Sequence, residues 1–416
     1  MNRSPTDVLI IGAGAIGVCS AYYLHQRGYR VSLIDRGEIS AGASKENAGL
    51  IVPSHCIPFA SRGAIRYGLK SLFDPAGPFY IQPQPRRALL AWLNQFRRAS
   101  APGRMEHGLQ VLRQLNYASK SLFDELVAAH ALDCDYHQAG WLFAYSSAQG
   151  FREGQEEAAL LREHGVRVEV FTAEQARGFE PGLAASIQGG VFYPDDAYLN
   201  PEAFVTALAG WLRERGVTFR EHTKALGFAL QDGAIRHVRT DRGDLRAGLI
   251  VLAAGAWTPE LLRPLGIRML VEPAKGYSLT IPAPEGGPRV PLYLSEAKVA
   301  VTPLQGCLRF AGTLEMTGLD DSIAARRVET IRSSASRYLK TAIPADAPAW
   351  SGLRPCSPDG LPIVERSPRL SNLIVATGHC MLGITLAPIT GKLVAGLAAG
   401  EGDEAWLAPL RSARFN

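Results

Sequence analysis

An apolar run, a glycine turn and a helical pattern follow one another at the start of the chain. Residues 8–11 are apolar and lead directly into glycines, after which apolar side chains recur at helical spacing over residues 16–27. Gly28 ends this pattern, and a second apolar run begins at residue 31. The pattern predicts a strand–helix–strand unit that ends near Arg36.

The middle of the chain alternates helical and strand patterns. Leucines and aromatic residues recur at three- and four-residue intervals over residues 86–130, which predicts helix, and residues 140–145 form a strand candidate. Asn200 followed by Pro201 is typical of a helix start, and Gly216 is typical of its end. A capped helix is therefore expected between these positions.

Strand patterns dominate the second half, and they place nucleotide-binding elements at both ends and in the middle of the chain. Residues 249–257 read as a buried strand that ends in small residues, residues 268–345 are β-rich, and a strand at 372–376 precedes a helix start near Gly383. We predict an α/β fold with a discontinuous Rossmann-like domain and an inserted β-sheet-rich substrate domain. The predicted nucleotide-binding domain comprises residues 1–88, 196–267 and 346–416, and the substrate domain comprises 89–195 and 268–345.

The glycine turn has the spacing G-x-G-x-x-G. Gly12 permits a tight turn, Gly14 lets the backbone approach a pyrophosphate, and Gly17 lets helix and strand pack closely. Asp35 ends the second strand, where a carboxylate accepts hydrogen bonds from a ribose diol. An isolated glycine turn would be weak evidence, but the strand, helix and acidic residue in register predict dinucleotide binding.

Composition excludes several classes of function. The chain has 416 residues, of which 47% are hydrophobic and 20% charged, with a net charge of +5. This is ordinary globular composition with enough length for two domains. No basic run interleaved with aromatic residues is present, so we expect no nucleic-acid partner. No apolar stretch approaches the roughly 20 residues that span a bilayer.

The six cysteines are scattered and lack the spacing of a metal site. We therefore expect no metal, and we expect reduced thiols in a cytoplasmic protein. The first seven residues are too short and polar to form a signal peptide.

The chain resembles the FAD-dependent amino acid oxidoreductases of the D-amino-acid oxidase and glycine oxidase superfamily over nearly its whole length. The resemblance is carried by residues 12–17, 42–49, 252–257, 352–355, 358–362 and 376–379. Within the superfamily, the loop at 47–49 and the segment at 275–279 look most like bacterial D-amino-acid dehydrogenases and the related D-hydroxyproline dehydrogenases.

The resemblance implies FAD as cofactor, held non-covalently. The residues implied to contact it are Gly12, Gly14, Ala15, Ile16, Gly17, Asp35, Arg36, Ala43, Ser44, Asn47, Ala48, Gly49, Leu50, Ala225, Ala254, Gly255, Trp257, Gly378, His379, Gly383, Ile384 and Thr385. The family usually has valine at the position of Ala225. Backbone amides at 383–385 would face the flavin from a helix N-terminus, which stabilises the charge of reduced flavin. Without the resemblance, the loop at 42–50 would be interpreted as ordinary surface. For His379, a structural histidine that is hydrogen-bonded in a turn is the alternative.

Three side chains are candidates for the substrate site. In this superfamily the arginine at the position of Arg354 holds the substrate carboxylate, which suits the bidentate geometry of a guanidinium. Tyr277 would supply a hydroxyl to that carboxylate or an aromatic wall, with a packed strand tyrosine as the alternative. His55 would line the active site, with a satisfied loop histidine as the alternative.

The implied reaction is oxidation of a D-amino acid, such as cis-4-hydroxy-D-proline or another D-proline, to an imino acid by hydride transfer to flavin N5. Electrons would pass to a quinone or another acceptor. Alternatives are a secondary-amine or glycine/sarcosine-type oxidase that uses oxygen, and an FAD-binding subunit of a hetero-oligomeric dehydrogenase. The Pro-rich, arginine-bearing segment 67–99 would contact the inner face of the cytoplasmic membrane or a partner subunit, with an irregular covering layer as the alternative.

Overall fold

The computed structural model describes residues 7–60, 79–82 and 86–415. Its strands are β1 (Asp7–Ile11), β2 (Arg30–Ile34), β3 (Leu50–Ile51), β4 (Phe79–Ile81), β5 (Trp141–Tyr145), β6 (Glu169–Thr172), β7 (Gly189–Tyr193), β8 (Ala197–Tyr198), β9 (Thr218–Arg220), β10 (Ala225–Gln231), β11 (Ala234–Thr240), β12 (Leu249–Leu252), β13 (Glu272–Pro282), β14 (Leu292–Leu294), β15 (Val299–Leu304), β16 (Cys307–Met316), β17 (Ala349–Cys356), β18 (Ile363–Arg366) and β19 (Leu373–Thr377). Its α-helices are α1 (Ala15–Gln26), α2 (Arg87–Ala99), α3 (Pro102–His130), α4 (Ala148–Glu163), α5 (Ala173–Phe179), α6 (Pro201–Glu214), α7 (Thr258–Leu262), α8 (Ala325–Ala335), α9 (Ala387–Ala399) and α10 (Glu404–Leu407).

A six-stranded sheet has the order β18-β19-β12-β1-β2-β9. Its strands run parallel except for β18, and β1 lies at the centre with Val8 opposite Leu249 on one side and Val31 on the other. Strand β1 is buried after its first residue, as expected for a parallel strand covered on both faces. Helix α1 packs against α9, so the two ends of the chain meet on one face of this sheet.

A larger sheet has the order β17-β13-β16-β15-β14-β5-β7-β6, with β4 paired to β16. Strand β13 is its longest element and pairs antiparallel with both β16 and β17. The register along β13 slips near Lys275, where β16 contains an extra residue, and Thr313 there has a left-handed φ of 58°. This β-bulge lies next to Arg354, whose guanidinium donates a hydrogen bond to the Thr313 carbonyl.

The fold agrees with the predicted α/β class and corrects several predicted bounds. The helical pattern at 86–130 is two helices, because Ala101 is extended ahead of Pro102 at the first position of α3. Helix α9 begins at Ala387, so residues 383–385 form a turn ahead of it.

Sheet membership does not follow the predicted domain boundaries at every point. Strands β17 and β4 belong to the larger sheet, although the sequence placed their residues with the nucleotide-binding part. Helix α3 falls in the predicted substrate domain, and its apolar face is buried in a cluster that holds residues of both β1 and β5. None of the described helices is both long and apolar enough to cross a membrane. Of the segment 67–99, residues 67–78 and 83–85 lie outside the described residues.

Candidate active site

A cavity of about 1760 Å³ lies where the carboxyl ends of the parallel strands face the larger sheet. Residues just beyond β1, β2, β12 and β19 line one part of it, and β5, β13, β16 and β17 line the other. Ligands in open α/β sheets bind at this edge of the strands. The volume exceeds the 300–1,000 Å³ of an ordinary small-ligand pocket, so a dinucleotide and a small substrate fit together.

The glycine turn has the geometry that its sequence predicts. Gly12 has a φ of 112°, and a Cβ there would lie 2.4 Å from the carbonyl oxygen of Ala253. A Cβ on Gly17 would lie 1.9 Å from the Gly12 carbonyl oxygen, so helix and strand can pack this closely only because Gly17 has no side chain. Asp35 accepts hydrogen bonds from the Ala13 amide at 2.8 Å and the Gly37 amide at 2.9 Å. Its carboxylate is thereby fixed at the cavity edge.

The loop that follows β2 covers the N-terminus of α1. Ser44 accepts a hydrogen bond from the Ala15 amide at 3.1 Å, so the loop and the first turn of the helix form one surface. The Arg309 guanidinium donates to the Asn47 carbonyl, and Ser278 donates to Glu46 at 2.8 Å. Strands of the larger sheet therefore hold this loop in place.

The opposite end of this surface carries a stacked pair. The guanidinium carbon of Arg36 lies 3.6 Å from the centre of the Trp257 ring. Both residues line the cavity, together with Ala225 at the start of β10. This position is compatible with the contact to FAD that the resemblance implies for Ala225.

The C-terminal segment contributes two different kinds of residue. Gly383 and Ile384 line the cavity, whereas Thr385 is buried behind them. The Thr385 hydroxyl donates to the Leu50 carbonyl at 3.0 Å and accepts from the Val52 amide at 3.3 Å. Thr385 thus fastens the C-terminal segment to β3 rather than facing the cavity.

His379 is buried, and its Nε2 lies 2.9 Å from the Thr390 hydroxyl. Burial lowers the pKa of its ring to about 3, so the ring is neutral at physiological pH. This contact favours the structural alternative for its side chain, although the residue borders the cavity.

The residues present fit FAD. The N-terminus of α1 opens into the cavity without an acidic residue in its first turn, which suits a pyrophosphate. Predicted contact residues that line the cavity are Gly12, Gly14, Ala15, Ile16, Asp35, Arg36, Ala43, Ser44, Asn47, Ala48, Leu50, Ala225, Ala254, Gly255, Trp257, His379, Gly383 and Ile384. Those that support the wall from behind are Gly17, Gly49, Gly378 and Thr385.

Arg354 lies in the part of the cavity that β13, β16 and β17 line. Its Nη1 donates to the Thr313 carbonyl at 3.1 Å, and its guanidinium covers Gly276, where a Cβ would lie 2.0 Å from Nη1. Among the described residues, no carboxylate lies within ion-pair distance of it. Burial lowers the pKa of the guanidinium, but an arginine stays charged at neutral pH. Donors remain free for a substrate carboxylate.

Tyr277 borders the cavity, but the contacts of its side chain favour the packed-strand alternative. Side chains alternate along a strand, so a residue next to Gly276 points to the opposite face of β13. The Tyr277 ring lies in the apolar cluster with Leu279 and Phe310, and its hydroxyl donates to Glu315 at 2.7 Å. The hydroxyl proton is thus engaged by Glu315, and the role of Tyr277 at a substrate carboxylate stays a prediction.

His55 lines the cavity, as the sequence predicts. Its ring packs edge-on against Trp141, with centroids 5.8 Å apart. Burial and the nearby charge of Lys298 lower its pKa to about 4, so the ring is neutral and offers one donor and one acceptor.

Several cavity residues were missed in the sequence. Trp141, Phe143 and Tyr145 alternate along β5, and all three line the cavity beside Tyr293 and Lys298. The period-2 spacing of the three aromatic residues was a usable signal for a shared face. Tyr293 lies in the short strand β14 and Lys298 in the turn after it, and neither residue gave such a signal.

Comparisons with known proteins agree with this geometry. Residues 7–397 match the family model described as DAO, FAD dependent oxidoreductase. A D-amino acid dehydrogenase of Vibrio vulnificus (strain CMCP6) is 32% identical over 407 residues, which cover 95% of this chain and 96% of the relative. A D-amino acid dehydrogenase of Agrobacterium fabrum (strain C58 / ATCC 33970) is 32% identical over 405 residues, covering 96% and 97%.

A solved structure shows the same fold. Glycine oxidase from Geobacillus kaustophilus matches with a TM-score of 0.77 and 24% identity, covering 99% of each chain. Because the family model spans most of the chain and relatives above 30% identity span nearly all of it, the chain belongs to the DAO family of FAD-dependent oxidoreductases.

Proposed function

We propose that this enzyme oxidises a D-amino acid at its Cα–N bond, with a D-proline such as cis-4-hydroxy-D-proline as a candidate substrate. The observation that carries the proposal is Arg354, a charged guanidinium held by a backbone carbonyl on one side and open to the cavity on the other. A guanidinium in this setting binds a carboxylate through two parallel hydrogen bonds. The preference for the D-configuration is supported by the names of the relatives.

FAD, when bound, supplies two-electron oxidation by accepting a hydride from the substrate. Gly12, Gly14 and Asp35 would hold its adenylate and pyrophosphate part, and the amides of Gly383 and Ile384 would face its isoalloxazine part. These positions follow from the cavity wall that the residues form.

The chain's own residues would orient the substrate and exclude water. Arg354 fixes the carboxylate, and this contact limits rotation of the substrate in the cavity. The aromatic rings of Trp141, Phe143 and Tyr293 pack with one another beside His55, which gives a compact apolar wall. Such a wall suits a small amino acid with little polar side-chain chemistry, including a five-membered ring.

The proposal is tested by the visible spectrum of the holoenzyme under anaerobic addition of amino acids. We expect bleaching by cis-4-hydroxy-D-proline or D-alanine, and none by the L-enantiomer of the alanine. Bleaching by the D-proline derivative alone would indicate a hydroxyproline-type dehydrogenase, and bleaching by both would indicate a broad enzyme. Bleaching only by glycine or sarcosine would contradict the proposal and favour a secondary-amine or glycine-type oxidase.

We further propose that the electrons pass from the reduced flavin to a quinone or another acceptor rather than to oxygen. We also propose that the protein is cytoplasmic and makes peripheral contact with the membrane. The support is the dehydrogenase name of the relatives and the exposed Leu90 on α2, which also carries Arg87, Arg97 and Arg98. The test reduces the flavin with substrate and then admits either oxygen or a soluble quinone. Rapid reoxidation by oxygen without reoxidation by quinone would contradict the dehydrogenase proposal. Activity that needs a co-purifying protein would instead support a subunit role.

A further inference from the structure

Two thiols meet beside the substrate arginine. Cys356 is the last residue of β17 and is fully buried, and Cys380 begins the turn after His379 with 7% of its surface exposed. Cys356 pairs with His379 in an isolated β-bridge, so the two backbones lie at the separation of paired strands. The side chains of Cys356 and Cys380 lie in one buried apolar cluster, and both thiols are free.

The two cysteines differ in access. Both belong to an apolar cluster with Trp92 and Ala274, but Cys380 also lines the cavity, whereas Cys356 does not. Trp92 donates to the Cys356 carbonyl at 2.8 Å, which fixes the end of β17. A small oxidant that enters the cavity therefore reaches Cys380 first and Cys356 only through it.

The thiol pair lies close to Arg354, so a bond between the two sulfurs would affect the strand that carries this arginine. Arg354 lies two residues before Cys356 on the same strand, and both sulfurs are close enough to interact electrostatically with its guanidinium. Cys380 has a left-handed φ of 47° and leads directly into Gly383 and Ile384, which line the cavity. A covalent bond between the sulfurs would link the strand that carries Arg354 to this segment.

We propose that Cys356 and Cys380 form a redox-sensitive thiol pair, which hydrogen peroxide entering the cavity converts to a disulfide that alters substrate binding at Arg354. The sulfur of Cys380 first attacks one peroxide oxygen, the O–O bond breaks, and one water leaves, so that Cys380 is oxidised to a sulfenic acid. The sulfur of Cys356 then attacks that sulfur, the S–O bond breaks, and a second water leaves. Two thiols and one peroxide thus give one disulfide and two waters.

The environment assigns the two roles. Burial raises the pKa of the Cys356 thiol well above its ordinary value, and a thiol that stays protonated is a poor first nucleophile. The same thiol is held against its neighbour, so it is well placed to resolve a sulfenic acid that forms there. The sequential order follows from access and is independent of which amino acid the enzyme oxidises.

The experiment treats the holoenzyme with hydrogen peroxide, blocks the remaining thiols after denaturation and maps the peptides without reduction. We expect the six free thiols to fall to four, with the Cys356 and Cys380 peptides joined and lighter by two hydrogen atoms. Dithiothreitol should restore both peptides as thiols. Oxidation of Met381, which lines the same cavity, adds an oxygen atom and is thereby distinguished.

Matched variants separate a specific pair from general oxidation. Cys380→Ser should leave Cys356 as a free thiol under the same treatment, whereas Cys356→Ser should leave Cys380 as an unresolved sulfenic or more oxidised acid. Cys307→Ser, on β16 outside the cavity wall, should still form the cross-link. Recovery of wild-type Cys356 and Cys380 as two thiols, or as acids without a cross-link, would overturn the proposal.

A second readout tests the effect on the site. The KM for a reactive amino acid should rise severalfold in the cross-linked enzyme. Treatment with dithiothreitol should return the KM to its value before oxidation. A cross-linked enzyme with an unchanged KM would overturn the proposed effect on substrate binding. The peptide map does not depend on any substrate, so failure of the proposed function remains distinguishable from failure of the thiol pair.

Discussion

Arg354 is the residue on which the proposed substrate chemistry depends most. Arg354→Ala should lower kcat/KM roughly thirtyfold or more, because loss of one partner of a buried charge pair costs about 2–5 kcal/mol. The kcat/KM of Arg354→Lys should lie between those of the parent enzyme and Arg354→Ala, because a lysine keeps the charge but loses the bidentate fork. Steady-state kinetics with the preferred D-amino acid measures both variants.

The control for this prediction is Arg239→Ala on the exposed face of β11, which should leave kinetics unchanged. The flavin spectrum of the Arg354 variants should also be intact, since FAD contacts are predicted elsewhere. A KM in Arg354→Ala equal to that of the parent enzyme would remove this residue from the substrate site.

Asp196 is a buried carboxyl that links pH to the loop carrying His55. It accepts hydrogen bonds from the amide and hydroxyl of Ser54, and burial raises its pKa from 3.8 to about 7. Between those values the folded state keeps a proton that the unfolded state has lost. The free energy of unfolding should therefore fall as pH rises through this window, by at most about 1.4 kcal/mol per pH unit.

Asp196→Asn isolates this contribution. The amide imitates the protonated carboxyl, so the variant should gain stability relative to the parent as pH rises from 4 to 7. Thermal unfolding of both holoenzymes at pH 5 and pH 8 measures the difference. A difference that is the same at both pH values would contradict the raised pKa.

At the residue level, the sequence identified side chains whose role follows from a local motif. Asp35, just after β2, and Arg354, within β17, are examples, and both line the cavity while their roles stay predictions. The sequence leaves the face of Tyr277 open, because that face depends on which neighbour of β13 contacts the cavity. Only Gly276, covered by the guanidinium, reveals that face.

Strand β13 offers a test at the level of the element. Gly276→Ala places a methyl group 2.0 Å from Arg354 Nη1, so the guanidinium must move. The variant should raise the KM as Arg354→Lys does, while the FAD spectrum stays intact. Gly210→Ala in α6 is the control, because its Cβ meets no atom within 4 Å and should stabilise the helix by up to about 1 kcal/mol. Normal kinetics in Gly276→Ala would contradict the assigned position of Arg354.

The link between the C-terminal segment and β3 gives a second test at this level. Thr385→Val removes hydrogen bonds to the Leu50 carbonyl and the Val52 amide, at a cost of about 1–3 kcal/mol. The Tm of the holoenzyme should fall, whereas Thr385→Ser, which keeps the hydroxyl, should retain most of the stability. Equal Tm values for the valine and serine variants would show that the hydroxyl does not fasten the two segments.

Elements were predicted well where the signal is local. The first strand–helix–strand unit and the Asn200 cap of α6 lie where the sequence placed them, and the Asn200 side chain accepts from the Ala203 amide. The start of α9 was predicted too early because small and apolar residues at 383–386 fit a turn as well as a helix. The membership of β17 in the larger sheet is not a local signal, because it depends on pairing with β13, which lies far away in the sequence.

The molecule as a whole is organised around a cavity that no single segment encloses. Its wall combines the N-terminal turn, the middle strands and the C-terminal segment, which is why the discontinuous arrangement was predictable from motifs at those places. The substrate end was less predictable, since aromatic residues of β5 and the turn after β14 meet only after the larger sheet forms.

This organisation makes FAD a stabilising ligand of the whole fold. A ligand that binds only the folded state adds about 2.7 kcal/mol at one hundred times its Kd, so the Tm of the FAD-free protein should rise steadily with FAD concentration. FMN lacks the adenylate part that Gly12 and Asp35 would hold, so it should raise the Tm far less. Acid denaturation of the holoenzyme should release the flavin to the supernatant, as expected for non-covalent binding. An equal effect of FMN would contradict the assigned adenylate site, and flavin retained on the denatured protein would contradict the non-covalent mode.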